Sequence, residues 1–208
     1  MIITFKKMAK IINCENAPIS YYKYENSYVR YVTYFQSINS EHRKEYEKMS
    51  EDDKKNYISN SASIFLPLIS SDYYREETKK VMSSDYSWTL KKIERIIDII
   101  PEYESMAVAL YMILHEIGHW RDFLRCEKKP YFYMPQEEID EEKKLYDYRI
   151  ELQQILSNKR ELTPHDYDLI EQYTCDYNDL PREKRANIYA DEHYIESYNK
   201  LCEAWNIK

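Results

Sequence analysis

Residues 102–125 read EYESMAVALYMILHEIGHWRDFLR, and this stretch governs how the rest of the chain is read. Glu102–Arg125 is predicted to be one helix, entered after Pro101. Between Met106 and Leu114 it is apolar nearly all round, the mark of a helix buried on every side. That helix runs straight into His115-Glu116-Ile117-Gly118-His119. Residues four apart share a helix face about one turn apart, so His115 and His119 can offer neighbouring positions of a tetrahedral zinc. Glu116 between them suits a general base for water rather than a ligand. Burying two histidines and a glutamate without partners would be costly, which favours a built site over an ordinary surface helix. Gly118 is the only glycine among 208 residues. Glycine inside a helix costs about 1 kcal/mol relative to alanine, so its position implies close approach of another backbone, a strand or the helix that brings the third ligand.

Around this segment the chain is expected to be helix-dominated α+β, one domain over 1–208 with a small N-terminal sheet. Ile19–Tyr24 and Tyr28–Phe35 are predicted to pair as a hairpin through Glu25-Asn26-Ser27. A short strand at Ser63–Ile69 is expected at an edge because of Pro67. Ser40 is expected to cap a polar helix to about Tyr57, with a break at Ser50. Ser87–Ile100 aligns Leu90, Ile93, Ile97 and Ile100 and should stop at Pro101. Further helices are predicted at Gln136–Leu156, from the Thr163-Pro164 cap to about Tyr177, and from Pro181 to Trp205.

Composition excludes several classes. Hydrophobic residues are 43 % and charged residues 32 % of the chain, proportions of a folded protein with a charged surface. The net charge is −7 with no basic block, so direct nucleic-acid binding is not expected. No apolar run is long enough to span a bilayer, and Met1–Ile12 does not read as a signal peptide, so a cytoplasmic location is expected. Cys14, Cys126, Cys175 and Cys202 lack paired spacing and read as isolated thiols. The 23 tyrosines reflect base composition more than function.

A third ligand must come from elsewhere. Asp122 and Arg125 stand where a metzincin would place glycine and histidine, so that class is excluded. Pro181-Arg182-Glu183-Lys184-Arg185-Ala186-Asn187-Ile188-Tyr189-Ala190 offers Glu183 with Asn187 one turn on, and Ala186 and Ala190 form a small-residue surface for packing on the first helix. Taken alone, Glu183 reads more readily as a first-turn acid favoured by the helix dipole than as a ligand. Glu192, His193 and His165 are rival ligands. His193, Tyr189 and Tyr194 are open choices for steadying an oxyanion, and His42 reads as a solvated side chain.

HEIGH followed by Glu-x-x-Ala-Asn-x-Tyr-Ala resembles the ImmA/IrrE family of zincin-fold metallopeptidases. The resemblance implies zinc held by His115, His119 and Glu183, Glu116 as general base, and Asn187 orienting a ligand. It also implies a protein substrate, such as a helix-turn-helix repressor encoded by the same mobile element. The 63 residues between His119 and Glu183 exceed the family's usual gap, so about 127–180 would be a helical insertion. The alternative is a non-catalytic binding or regulatory protein on a zincin scaffold.

Overall fold

The computed structural model describes residues 2–13, 15–23, 34–36, 43–54, 56, 63–81, 83–125, 136–157 and 163–207. In chain order the described elements are α1 (Phe5–Ile12), β1 (Ile19–Tyr22), β2 (Tyr34–Gln36), α2 (Arg43–Lys48), β3 (Ser63–Pro67), α3 (Ser71–Val81) and α4 (Ser83–Ile93). A 3-10 turn (Pro101–Tyr103) then leads into α5 (Glu104–Arg125), α6 (Gln136–Ser157), α7 (Pro164–Asp179) and α8 (Pro181–Trp205). The helix-dominated α+β expectation is met.

α5 is the central element. Ser105 to His119 is buried at every position except Met112, which is half-buried. α8 packs along it, and α1, α3, α4, β2 and β3 contact its remaining sides. α8 shows why it docks: Glu183, Ala186, Asn187, Ala190, Tyr194, Ser197 and Leu201 are buried at helical spacing. The interface pairs Gly118 with Ala186, His115 with Asn187, Tyr111 with Asp191 and Ala107 with Tyr194, so the two helices run antiparallel. α7 begins with a full capping box, Thr163 and Asp166 each accepting from the other's backbone N–H. It ends at Leu180, a single buried corner residue in extended conformation from which α8 departs. No helix among the described residues is long and apolar enough to cross a membrane.

The sheet differs from expectation. Its order is β1-β3-β2, with β1 parallel and β2 antiparallel to β3. β3 is therefore the centre, not an edge, and among the described residues β1 and β2 do not pair with each other. Residues 24–33, including the expected turn, lie outside the described residues. Proline is tolerated in β3 for a geometric reason. The even-numbered residues donate toward β1 at either end of the strand, Ile64 to Pro18 and Leu68 to Tyr22. Pro67 thus lacks only an N–H directed away from β1, and the described β2 register ends at Phe65.

One helix boundary also moves. α4 stops at Ile93 rather than Ile100; Arg95 and Ile96 bond three residues back and the chain leaves the helix. Ile100 takes ψ of 120° ahead of Pro101, the extended conformation a following proline favours. α1 was not anticipated, although Phe5, Met8, Ala9 and Ile12 bury one helical face with the lysines outside it. The break at Ser50 is present, with Ser50 Oγ accepting from the Asp53 N–H at 3.1 Å; Ser40 and His42 lie outside the described residues.

Candidate metal centre

The last two turns of the buried part of α5 and the first turn of α8 bring three ligand-type atoms together. His115 Nε2 lies 3.1 Å from His119 Nε2 and 3.1 Å from Glu183 Oε2. His119 Nε2 lies 3.3 Å from the same carboxylate oxygen. His115, His119 and Glu183 are respectively 8 %, 7 % and 1 % exposed, so water does little to separate these lone pairs. They form a group that could hold a metal ion. Glu192 is exposed on α8, His165 is exposed on α7, and His193 stacks on Tyr189 at 4.2 Å; none joins the group.

The donor set fits a cation. His115 Nδ1 faces Asn187 Oδ1 at 3.0 Å. The amide orientation follows from its other contact, since Asn187 Nδ2 donates to Asn178 Oδ1 at 3.3 Å and Oδ1 is thereby left facing His115. A carbonyl oxygen only accepts, so Nδ1 carries the proton and the Nε2 of the neutral ring is a bare lone pair aimed at His119 and Glu183. One proton cannot satisfy all three converging atoms. Zinc ligands about 2.0–2.1 Å from a shared centre stand roughly 3.3–3.4 Å apart at tetrahedral angles, close to the separations seen. His119 Nδ1 is buried with no hydrogen-bond partner among the described residues, so the convergence at Nε2 is what holds this ring.

Gly118 makes the convergence sterically feasible. A Cβ there would stand 2.8 Å from both the Ala186 Cα and the Ala186 carbonyl oxygen, and 3.1 Å from Tyr189 Cβ. The backbone whose approach the glycine permits is that of the third-ligand helix, one of the two alternatives its position raised. Ala186 and Ala190, both fully buried, supply the other side of the contact.

Charge is distributed so that the carboxylate stays ionised. Burial opposes ionisation of Glu183, but the two imidazoles outweigh it and hold its carboxyl well below the usual range. Arg182 Nε lies 3.1 Å from the other oxygen, Oε1. Burial lowers the His115 pKa, yet the hydrogen bond and charge of Glu183, the charge of Glu116 and the Asn187 bond raise it overall. Glu116 is itself 4 % exposed.

Several residues at this centre were not anticipated. Tyr177, near the end of α7, donates to Glu183 and feels the charge of Glu116; burial, reinforced by these carboxylates, holds its phenol well above the ordinary range, so it remains a donor. Tyr194, weighed as an oxyanion partner, is fully buried and donates to the Ala107 carbonyl at 3.0 Å, which removes it from the site. Asp122 is a structural anchor: Arg185 Nε meets it at 2.8 Å and spans on to Glu138 of α6 at 3.2 and 3.1 Å. This ties α5, α8 and α6 together one turn beyond His119. Gln136–Ser157 and Pro164–Asp179 are helices, as expected for those parts of the chain, and 126–135 and 158–162 lie outside the described residues. Cys175 and Cys202 are free thiols; Cys14 and Cys126 lie outside the described residues. Comparison of the chain with family models, with characterised proteins and with solved structures returns no match.

Proposed function

We propose that this chain is a zinc-dependent endopeptidase of the ImmA/IrrE kind, acting on a protein substrate. The observation that carries the reading is the convergence of His115 Nε2, His119 Nε2 and Glu183 Oε2 beside a buried Glu116. Zinc, when bound by these three residues, supplies a Lewis acid that makes water acidic near neutral pH. Glu116 takes the proton of the attacking water, and the water oxygen bonds to the scissile carbonyl carbon. Tyr177 donates to Glu183 and helps hold that carboxylate in place. Glu116 then delivers the proton to the amide nitrogen as the C–N bond breaks. Arg182 keeps Glu183 oriented through its second oxygen, and Asn187 keeps His115 in the tautomer that exposes Nε2. The substrate class that the resemblance implies is a helix-turn-helix repressor.

The test has two parts. Elemental analysis of the purified protein should show about one zinc per chain, retained or taken up on addition, as a three-ligand catalytic site requires. Glu116→Gln should keep the metal and lose cleavage of a co-expressed repressor substrate by about two to four orders of magnitude. Absence of zinc under both conditions ends the metallopeptidase reading. Full biological activity of the zinc-loaded Glu116→Gln protein ends the catalytic part of it.

A further inference from the structure

The hydrogen bonds behind His115 run in one direction, and they end on a group that cannot reverse it. Asn187 Oδ1 faces His115 Nδ1 at 3.0 Å, and Asn187 Nδ2 donates to Asn178 Oδ1 at 3.3 Å. Asn178 lies in the last turn of α7. Its own Nδ2 donates to the backbone carbonyl of Thr174, one turn earlier on that helix, at 2.8 Å. A side-chain amide can turn over and exchange oxygen for nitrogen, but a backbone carbonyl only accepts. Asn178 turned over would set its oxygen against the Thr174 oxygen with no hydrogen between them. Asn178 therefore presents oxygen to Asn187, and Asn187 answers with N–H. Its neighbour Tyr177 donates to Glu183, so the last turn of α7 reaches the supports of two ligands.

The Asn187 amide has another partner within reach. The Tyr111 hydroxyl lies 3.3 Å from Asn187 Oδ1, but Asp191 Oδ1 is nearer, at 2.9 Å, and charged, so it takes the single hydroxyl hydrogen. The phenol oxygen, which also accepts from Lys92 Nζ at 2.7 Å, is then an acceptor toward Asn187. A turned-over Asn187 would donate to that oxygen and would also place N–H against His115 Nδ1. His115 would then carry its proton on Nε2, pointing into the centre. Tyr111 thus favours the orientation that spoils the ligand, and Asn178 opposes it, because two amide oxygens would face each other. Asn187 is 5 % and Tyr111 1 % exposed, so water does little to settle the contest.

We propose that Asn178, oriented by the Thr174 carbonyl, is a positioning residue that holds the Asn187 amide against Tyr111 and through it keeps the Nε2 of His115 bare for metal. This rests on the zinc reading above and extends it to a residue of α7 remote from the reacting atoms. Asn178 is half-buried near a helix end and alanine is the best helix former, so Asn178→Ala is expected to fold. Water that fills its place donates as readily as it accepts and selects neither orientation. The variant should weaken zinc binding by about 10-fold, the lower end of the cost of losing a partner behind a metal ligand. The measurement is zinc competition against a chromophoric chelator. It is paired with long-range 1H–15N spectra of the metal-free protein at a pH where His115 is neutral, in which the Nδ1-protonated tautomer of His115 should lose population. Asn178→Asp, which keeps an oxygen toward Asn187 Nδ2, should retain the wild-type tautomer.

An Asn187→Asp background separates positioning from general loosening. A carboxylate has no N–H to turn toward His115, so it accepts from Nδ1 whatever stands at position 178. There Asn178→Ala should cost no zinc affinity and leave the tautomer unchanged, whereas a loosening of α7 would cost the same in both backgrounds. Wild-type zinc affinity and tautomer in Asn178→Ala, an equal loss in both backgrounds, or a lost tautomer in Asn178→Asp overturns the proposal while leaving the zinc reading intact. Failure of the wild-type protein to bind zinc overturns both.

Discussion

The two ends of the α5–α8 interface are built on opposite principles. At the Gly118–Ala186 end the side chains are almost absent, the backbones nearly touch, and polar groups fill the space alongside. At the Ala107–Tyr194 end a large ring occupies the gap, and a single bond from its hydroxyl to the Ala107 carbonyl satisfies the only polar group it brings. The first end gathers polar and charged groups where almost no water reaches, an arrangement that is costly unless those groups find partners. The second is ordinary core packing in which area removed from water does the holding. One helix pair therefore carries a costly region and a stabilising region within about three turns.

Substitutions at the two ends should separate these roles. The largest effect is expected for Glu183→Ala, which removes one of three ligand atoms and should abolish stable zinc retention, whereas Glu192→Ala on the exposed side of α8 should leave the zinc content of dialysed protein unchanged. The reverse pattern would reassign the third ligand. Gly118→Ala comes next. Its gain in helix propensity, about 1 kcal/mol, is set against a 2.8 Å approach to backbone that cannot swing aside. Overpacking of this kind costs about 1–3 kcal/mol, so net destabilisation is expected in urea unfolding, together with weaker metal retention as the helices part. A more stable Gly118→Ala protein would show that the close contact is not what holds the two helices at this end.

At the far end Tyr194→Phe loses one buried hydrogen bond to a carbonyl that keeps its helical partner, a cost of about 1 kcal/mol. Zinc affinity should not change. A smaller effect belongs to pH in the metal-free protein. Glu183 has a depressed pKa, so its contribution is complete above the ordinary carboxylate value of 4.5 and is lost as pH falls. His115 has a raised pKa, so its contribution is complete below 6.5 and is lost as pH rises through the raised value. The pair should therefore stabilise the metal-free protein most between those two limits. Added zinc should move the optimum to higher pH, because it takes the place of the protons. An optimum that ignores zinc would mean that these groups do not share a cation.

The site was more legible than the sheet, and particular residues show why. His115, His119 and Glu183 lie on helices whose boundaries carry local signals: Pro101 before α5, Pro181 opening α8, Thr163-Pro164 opening α7. A helix converts spacing directly into a shared face, so the ligands could be aligned from numbers alone. Strand order has no such local code. Whether β3 sits between β1 and β2 depends on pairing partners tens of residues away, and Pro67 read as an edge signal only because the direction of its missing N–H was unknown. α1 carries no such signal: its lysines interrupt a short apolar stretch, and only the burial of Phe5, Met8, Ala9 and Ile12 shows them to be the outer face of a helix. Tyr111 was hidden for another reason: within an apolar run and among 23 tyrosines, its hydroxyl carried no signal until Asn187 and Asp191 stood opposite it.

The distance along the chain between the histidine pair and Glu183 has a consequence for how the molecule is made. His115 and His119 leave the ribosome well before α8, so for that interval the nascent chain carries an apolar helix that lacks the cover α8 gives it. Such a segment is prone to wrong partners until its proper one arrives. A metal ion held meanwhile by two imidazoles would be bound only loosely, and the arrival of Glu183 would both seal the helix and tighten the grip. Closing so distant a contact is a slow event relative to forming either helix. Free zinc during synthesis would then act on yield as well as on chemistry, by rewarding the one docking of α8 that completes the ligand set.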